Sequence, residues 1–60
     1  MQLNQQELQN LRHLIYSHET AHQKLQDFSQ QATDPQVKQM FEKSAQDAMK
    51  TKQKLMSFLG

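Results

Sequence analysis

The sequence predicts an all-α protein: an antiparallel two-helix hairpin, with arms over about 5–32 and 35–59, that pairs with a second copy into a four-helix bundle. Three observations point there. Thr33-Asp34-Pro35 is the one break in an otherwise helical pattern. Apolar residues on either side of it recur at alternating steps of three and four, the spacing that gathers them on one helical face. The chain has only 60 residues and no cysteine. Two helices can cover only one flank of each other, so a hairpin this small needs a partner chain where it lacks disulfides or a metal. Residues 1–60 form a single domain on this reading.

The first arm opens on a start signal. Asn4 suits a helix cap, Glu7 three residues on can bond back to it, and Leu3 can staple onto Leu8. The seam that follows is Leu8, Leu11, Ile15, His18, His22, Leu25, Ser29 and Ala32, widened on one side by Leu14, Ala21 and Phe28. A stripe that broad suits a helix with more than one neighbour, as in a bundle. At 1.5 Å per residue the arm is about 40 Å long.

Asp34 before Pro35 starts the second arm. The carboxylate accepts from free backbone N–H groups, and proline at the first helical position loses nothing by lacking one. The second seam is Val37, Phe41, Ser44, Ala48, Thr51, Leu55 and Phe58, flanked by Met40, Ala45, Met49, Met56 and Leu59. Lys50, Lys52 and Lys54 complement the negative end of the helix dipole, and Gly60 closes the arm. A turn of two or three residues makes the arms antiparallel neighbours. Residues at equal depth then have numbers summing to roughly 68. Bulky layers at both ends enclose a small, polar middle layer of His18, His22, Ser44 and Thr51, in which the hydroxyls or water are the expected partners of the imidazoles.

Composition excludes several function classes. A formal net charge of +1 gives no electrostatic footprint for nucleic acid. Lys38, Lys43, Lys50, Lys52 and Lys54 follow the turn, but Asp34, Glu42 and Asp47 are mixed among them. No apolar run approaches membrane-spanning length, and Met1-Gln2-Leu3-Asn4 has no signal-peptide core, so the expected location is the cytoplasm. The twelve glutamines are dispersed over polar faces as solvated helix formers, unlike a prion-like tract.

His18-Glu19-Thr20-Ala21-His22 spells H-E-x-x-H, which on a helix puts two imidazoles one turn apart, able to grip zinc beside a glutamate base. A hydrolase also needs a third ligand and a cleft, for which this chain has no room, and His13 lies well round the helix. Glu19 and His22 also make E-x-x-H, the ligand pair of di-iron helical bundles, where further helices each add an inward glutamate. Here Glu42 lies about 10 Å too near the turn, and Asp47 is at the right depth but shorter and off the seam. The expectation is therefore no bound metal, no cofactor and no catalysis, with Glu19, His22, His18, Asp47 and Glu42 as the only metal candidates. Imidazoles buried in a bundle core would also make association weaken in acid. Met40, Met49 and Met56 suit core filler or an adaptable docking surface, and Tyr16 lies off the seam.

Leu8 to Ile15, Ser17-His18-Glu19, the block Ala32-Thr33-Asp34-Pro35-Gln36-Val37-Lys38-Gln39-Met40-Phe41, and Leu55 to Leu59 resemble short proteins of spore-forming Firmicutes related to spore coat F. More distantly they are similar to rubrerythrin and ferritin-like bundles. The resemblance spans nearly the whole chain, and its sharpest element is the start of the second arm. It implies a ferritin-like half and a spore-associated structural role. The chain departs from ferritin-like enzymes in matching the metal motif only at Glu19 and His22.

The expected function is a non-enzymatic structural or interaction module, spore-coat-like and homodimeric, with other spore-coat or regulatory proteins as further partners. Its shared core would be Leu11, Ile15, His18, His22, Leu25, Phe28, Val37, Phe41, Ala48, Leu55 and Phe58. Two alternatives come from other classes: a metal-binding ferritin-like bundle with Glu19 and His22 from two chains, and a hairpin inhibitor that caps a larger regulatory protein.

Overall fold

A computed structural model describes residues 2–59. Two helices, α1 (Gln5–Gln31) and α2 (Pro35–Met56), lie against each other and are followed by a 3-10 turn, Ser57–Leu59. The described residues form a rod of 45 × 14 × 11 Å between Cα atoms. The all-α hairpin is thus as the sequence predicts.

Both starts are built from the expected local chemistry. Asn4 Oδ1 accepts from the Glu7 amide at 2.7 Å, and the Asn4 amide donates to Glu7 Oε1 at 3.1 Å. This reciprocal box satisfies amides that no helical carbonyl can reach. At the second start, Asp34 Oδ1 accepts from the amides of Gln36 at 2.8 Å and Val37 at 3.3 Å, with Pro35 in the first turn. Ala32, Thr33 and Asp34 are all that separate the helices, and the Ala32 amide closes α1 by donating to the Phe28 carbonyl at 3.0 Å.

The second helix ends three residues before the expected 59, in the 3-10 turn. Carbonyls near a helix end lack donors four residues on, and tightening to three-residue bonds recruits the amides that remain. Gly60, expected to close this arm, lies outside the described residues.

The register follows from the short turn. His22 meets Ala45, Phe28 meets Phe41, and Glu19 meets Lys52, all close to the expected sum. The core between the arms is thin. Among the described residues, Leu11, Ala45 and Ala48 are the buried hydrophobic residues and Ser29 the buried polar one, and no large side chain is fully enclosed. The Ser29 hydroxyl avoids an unmet burial cost by donating to the Gln26 carbonyl at 2.7 Å.

One rotation differs from the expectation. The side of α2 turned toward α1 is Phe41, Ala45, Ala48, Lys52 and Leu55, all buried or half-buried. Val37, Thr51 and Phe58, expected on that seam, are exposed in the hairpin. The two series share Phe41, Ala48 and Leu55, so α2 has two overlapping stripes and gives α1 the one with smaller side chains at mid-height. Alanine at 45 and 48 lets the backbones approach closely, and the aliphatic stem of Lys52 covers apolar surface while its amine pairs with Glu19 at 3.4 Å.

Candidate interaction surface

The hairpin has two unlike flanks. On α1, Leu14, Ala21 and Phe28 recur every seven residues and so share one side, drifting only about 20° per heptad. Arg12, Glu19 and Gln26 form a second heptad series, offset by two residues and hence nearly opposite. On α2 the matching series are Val37, Ser44 and Thr51 on the first flank, continued by Phe58 in the 3-10 turn, and Lys38, Ala45 and Lys52 on the second.

Surface grooves confirm the pairing of these series across the helices. At the turn end, Phe28, Ala32, Val37 and Phe41 line one groove. At the open end, Leu3, Leu11, Leu14, Leu55 and Phe58 line another. Both lie on the first flank, where Asp34 at the turn end and Glu7 at the open end are the charged residues that line them. The opposite flank carries a polar groove with His22, Gln26, Lys38 and Glu42, and a mixed one in which Arg12, Glu19 and Lys52 stand beside Ile15, Tyr16, Met56 and Leu59.

Large apolar side chains stand unusually open. Leu14 is 45%, Phe28 46%, Met40 58% and Phe58 39% exposed. Val37, Met56, Leu59 and Tyr16 are also exposed. Among the residues expected to form a shared core, Leu11 and Ala48 are buried, while Ile15, His18, His22, Leu25, Phe41 and Leu55 are half-buried. Phe28, Val37 and Phe58 face solvent in the single hairpin. The rings of Phe28 and Phe41 are tilted by 54° with centroids 5.6 Å apart, a favourable aromatic geometry that still leaves half of Phe28 bare.

The histidines do not bond to the hydroxyls of Ser44 or Thr51. The His18 ring donates from Nδ1 to its own helix, to the Leu14 carbonyl at 2.8 Å. His22 reaches across and donates from Nδ1 to the Ala45 carbonyl at 2.7 Å. Each bond fixes the tautomer with Nε2 unprotonated in the neutral ring, and protonating Nε2 leaves the bond intact. The two imidazoles of H-E-x-x-H are thus directed to carbonyls on different helices. Glu19 pairs with Lys52 at 3.4 Å, Glu42 and Asp47 are exposed, and only Glu42 shares a groove with His22. Among the described residues, no three His, Asp or Glu side chains gather where they could hold a metal ion.

Among the described residues no helix is long and apolar enough to cross a membrane. No family model, curated protein or solved structure matches the chain.

Proposed function

We propose that this chain is a non-enzymatic structural and interaction protein, spore-coat-like in role, that works as a homodimer through its apolar flank. The observation that supports the reading is the mismatch between what is buried and what is bare. The buried hydrophobic residues are one leucine and two alanines, whereas Leu14, Phe28, Met40 and Phe58 stand between 39% and 58% exposed. Burying apolar surface is worth about 25 cal/mol per Å². A hairpin that leaves its largest side chains wet forgoes most of that, and a second copy supplies the missing cover. The spore-associated location rests on the resemblance at Ala32 to Phe41 and at Leu55 to Leu59.

The test combines light scattering and elemental analysis on one natively purified sample. The expected result is the mass of two chains, without stoichiometric iron, manganese or zinc. A folded single chain at micromolar concentration removes the self-association reading. Stoichiometric metal replaces the structural role with the ferritin-like one.

A further inference from the structure

From the two flanks we infer which surface a second copy occupies and how it lies there, an inference that rests on the self-association proposed above. The partner covers the less charged flank, and the two-fold axis runs crosswise to the helices at mid-height. The α1 helices of the two copies then lie antiparallel, with Ala21 at their crossing and Leu14 against the partner's Phe28.

Three features carry this arrangement. The first is the distribution of charge between flanks. Arg12, Glu19, Lys38, Glu42 and Lys52 line the grooves of one flank, whereas Glu7 and Asp34, one at each end, are the charged residues lining those of the other, so covering the second flank strips water from fewer charged groups.

The second is self-complementarity along the rod. Leu14 and Phe28 stand seven residues to either side of Ala21, so a half-turn about Ala21 exchanges the two bulky ends and lays the small middle on itself. The series on the same flank of the second arm, Val37, Ser44, Thr51 and Phe58, is likewise bulky at both ends and small in the middle. An axis along the helices would instead crowd the Phe28–Phe41 pairs of both copies into one layer, with the excess bulk that packed cores resist.

The third is charge along the rod. Divided at Ala21 and Ala48, the open half holds Arg12, Lys50, Lys52 and Lys54 against Glu7 and Glu19, and the turn half holds Asp27, Asp34, Glu42 and Asp47 against Lys24, Lys38 and Lys43, so the first is net basic and the second slightly acidic. A crosswise axis lays the basic end of one copy beside the acidic end of the other. An axis along the helices stacks the basic ends together. The size of the face is also adequate. It measures 45 × 14 Å between Cα atoms before side chains are added, in the range of the ~800 Å² per partner of a stable interface.

The arrangement leaves Glu19, Lys52 and the His22 groove on the outside of the bundle. An inward di-metal cluster built on Glu19 and His22 is then geometrically closed to it.

Disulfide trapping tests the inference, since the chain contains no cysteine and every cross-link reports an introduced thiol. The variants are Ala21→Cys, Gln26→Cys, Leu14→Cys and Phe28→Cys, each first checked for helix content by circular dichroism and for mass by light scattering. Bridging requires Cβ atoms within about 4.5 Å, so Ala21→Cys should form covalent dimers at least ~10-fold faster than Gln26→Cys. A mixture of Leu14→Cys and Phe28→Cys should yield the mixed dimer in preference to either self-linked one. Dimers that trap through Gln26→Cys, or through Phe28→Cys alone, overturn the face or the axis while leaving self-association standing. Dimers that trap through none of the four overturn the arrangement in the same way. Loss of the dimer mass in the parent chain overturns both.

Discussion

The ring of His22 donates from Nδ1 to the carbonyl of Ala45 at 2.7 Å, bridging α1 and α2 at mid-height. It is the one side-chain hydrogen bond among the described residues that joins the two arms, where small side chains leave little apolar contact to hold them together.

Replacing it should therefore be felt. His22→Ala removes a bond worth about 1 kcal/mol net. In a domain of this size that lowers the melting temperature by roughly 4–8 °C. Thermal denaturation by circular dichroism at matched protein concentration checks this, since an associating chain melts higher when concentrated. His18→Ala should cost less, because its bond stays within α1.

The two helix caps should differ in worth. Asp34→Ala frees the amides of Gln36 and Val37 at the junction of the arms, and should cost about 1 kcal/mol. Asn4→Ala undoes a box at the outer end of α1, where a frayed turn detaches little else. Chemical denaturation should rank Asp34→Ala as the more damaging.

The Glu19–Lys52 pair should contribute little. Its atoms are 3.4 Å apart and the Glu19 side chain is 43% exposed, so water and salt screen it to well under ~1 kcal/mol. Glu19→Gln should shift the melting point by less than about 4 °C, and the shift should shrink further at high salt. A large loss would show that this flank is buried in the assembly.

Phe41→Asp should abolish association and helicity together. Phe41 lies on both stripes of α2, packing on Phe28 within the hairpin and facing the apolar flank. A buried unpaired carboxylate at that point costs several kcal/mol, more than so small a domain can lose. Light scattering and far-ultraviolet circular dichroism give the two readouts.

Removing metal should change nothing. Among the described residues no three His, Asp or Glu side chains gather where they could hold a metal ion. A chelator should leave the melting curve in place, whereas a drop would indicate ligands gathered from more than one chain.

The parts of this fold legible in the sequence are those set by near neighbours. The Asn4–Glu7 box and the Asp34-Pro35 start depend on residues a few positions apart, and both were readable from type and spacing. The register followed from the brevity of the turn. What could not be read was the rotation of α2 about its own axis. Phe41, Ala48 and Leu55 belong equally to the stripe with Ala45 and Lys52 and to the stripe with Val37, Ser44, Thr51 and Phe58. Period alone cannot say which of two overlapping stripes meets the near arm. The choice turns on how closely Ala45 allows the backbones to approach, a three-dimensional quantity. The histidine partners were hidden for a related reason. Every residue offers a carbonyl, so no side-chain pattern marks Leu14 or Ala45 as acceptors.

The difference between the flanks also bears on how far assembly can run. A rod sticky on both sides has no natural stopping point, because each added copy exposes the same glue it has just used. On the proposed pairing the rear surface lines its grooves with Arg12, Glu19, Lys38 and Lys52, groups that prefer water, so a pair joined front to front would be finished. Closure at a defined number would thus be inherent in the placement of Arg12, Glu19, Lys38 and Lys52, the residues that touch nothing in the seam between copies.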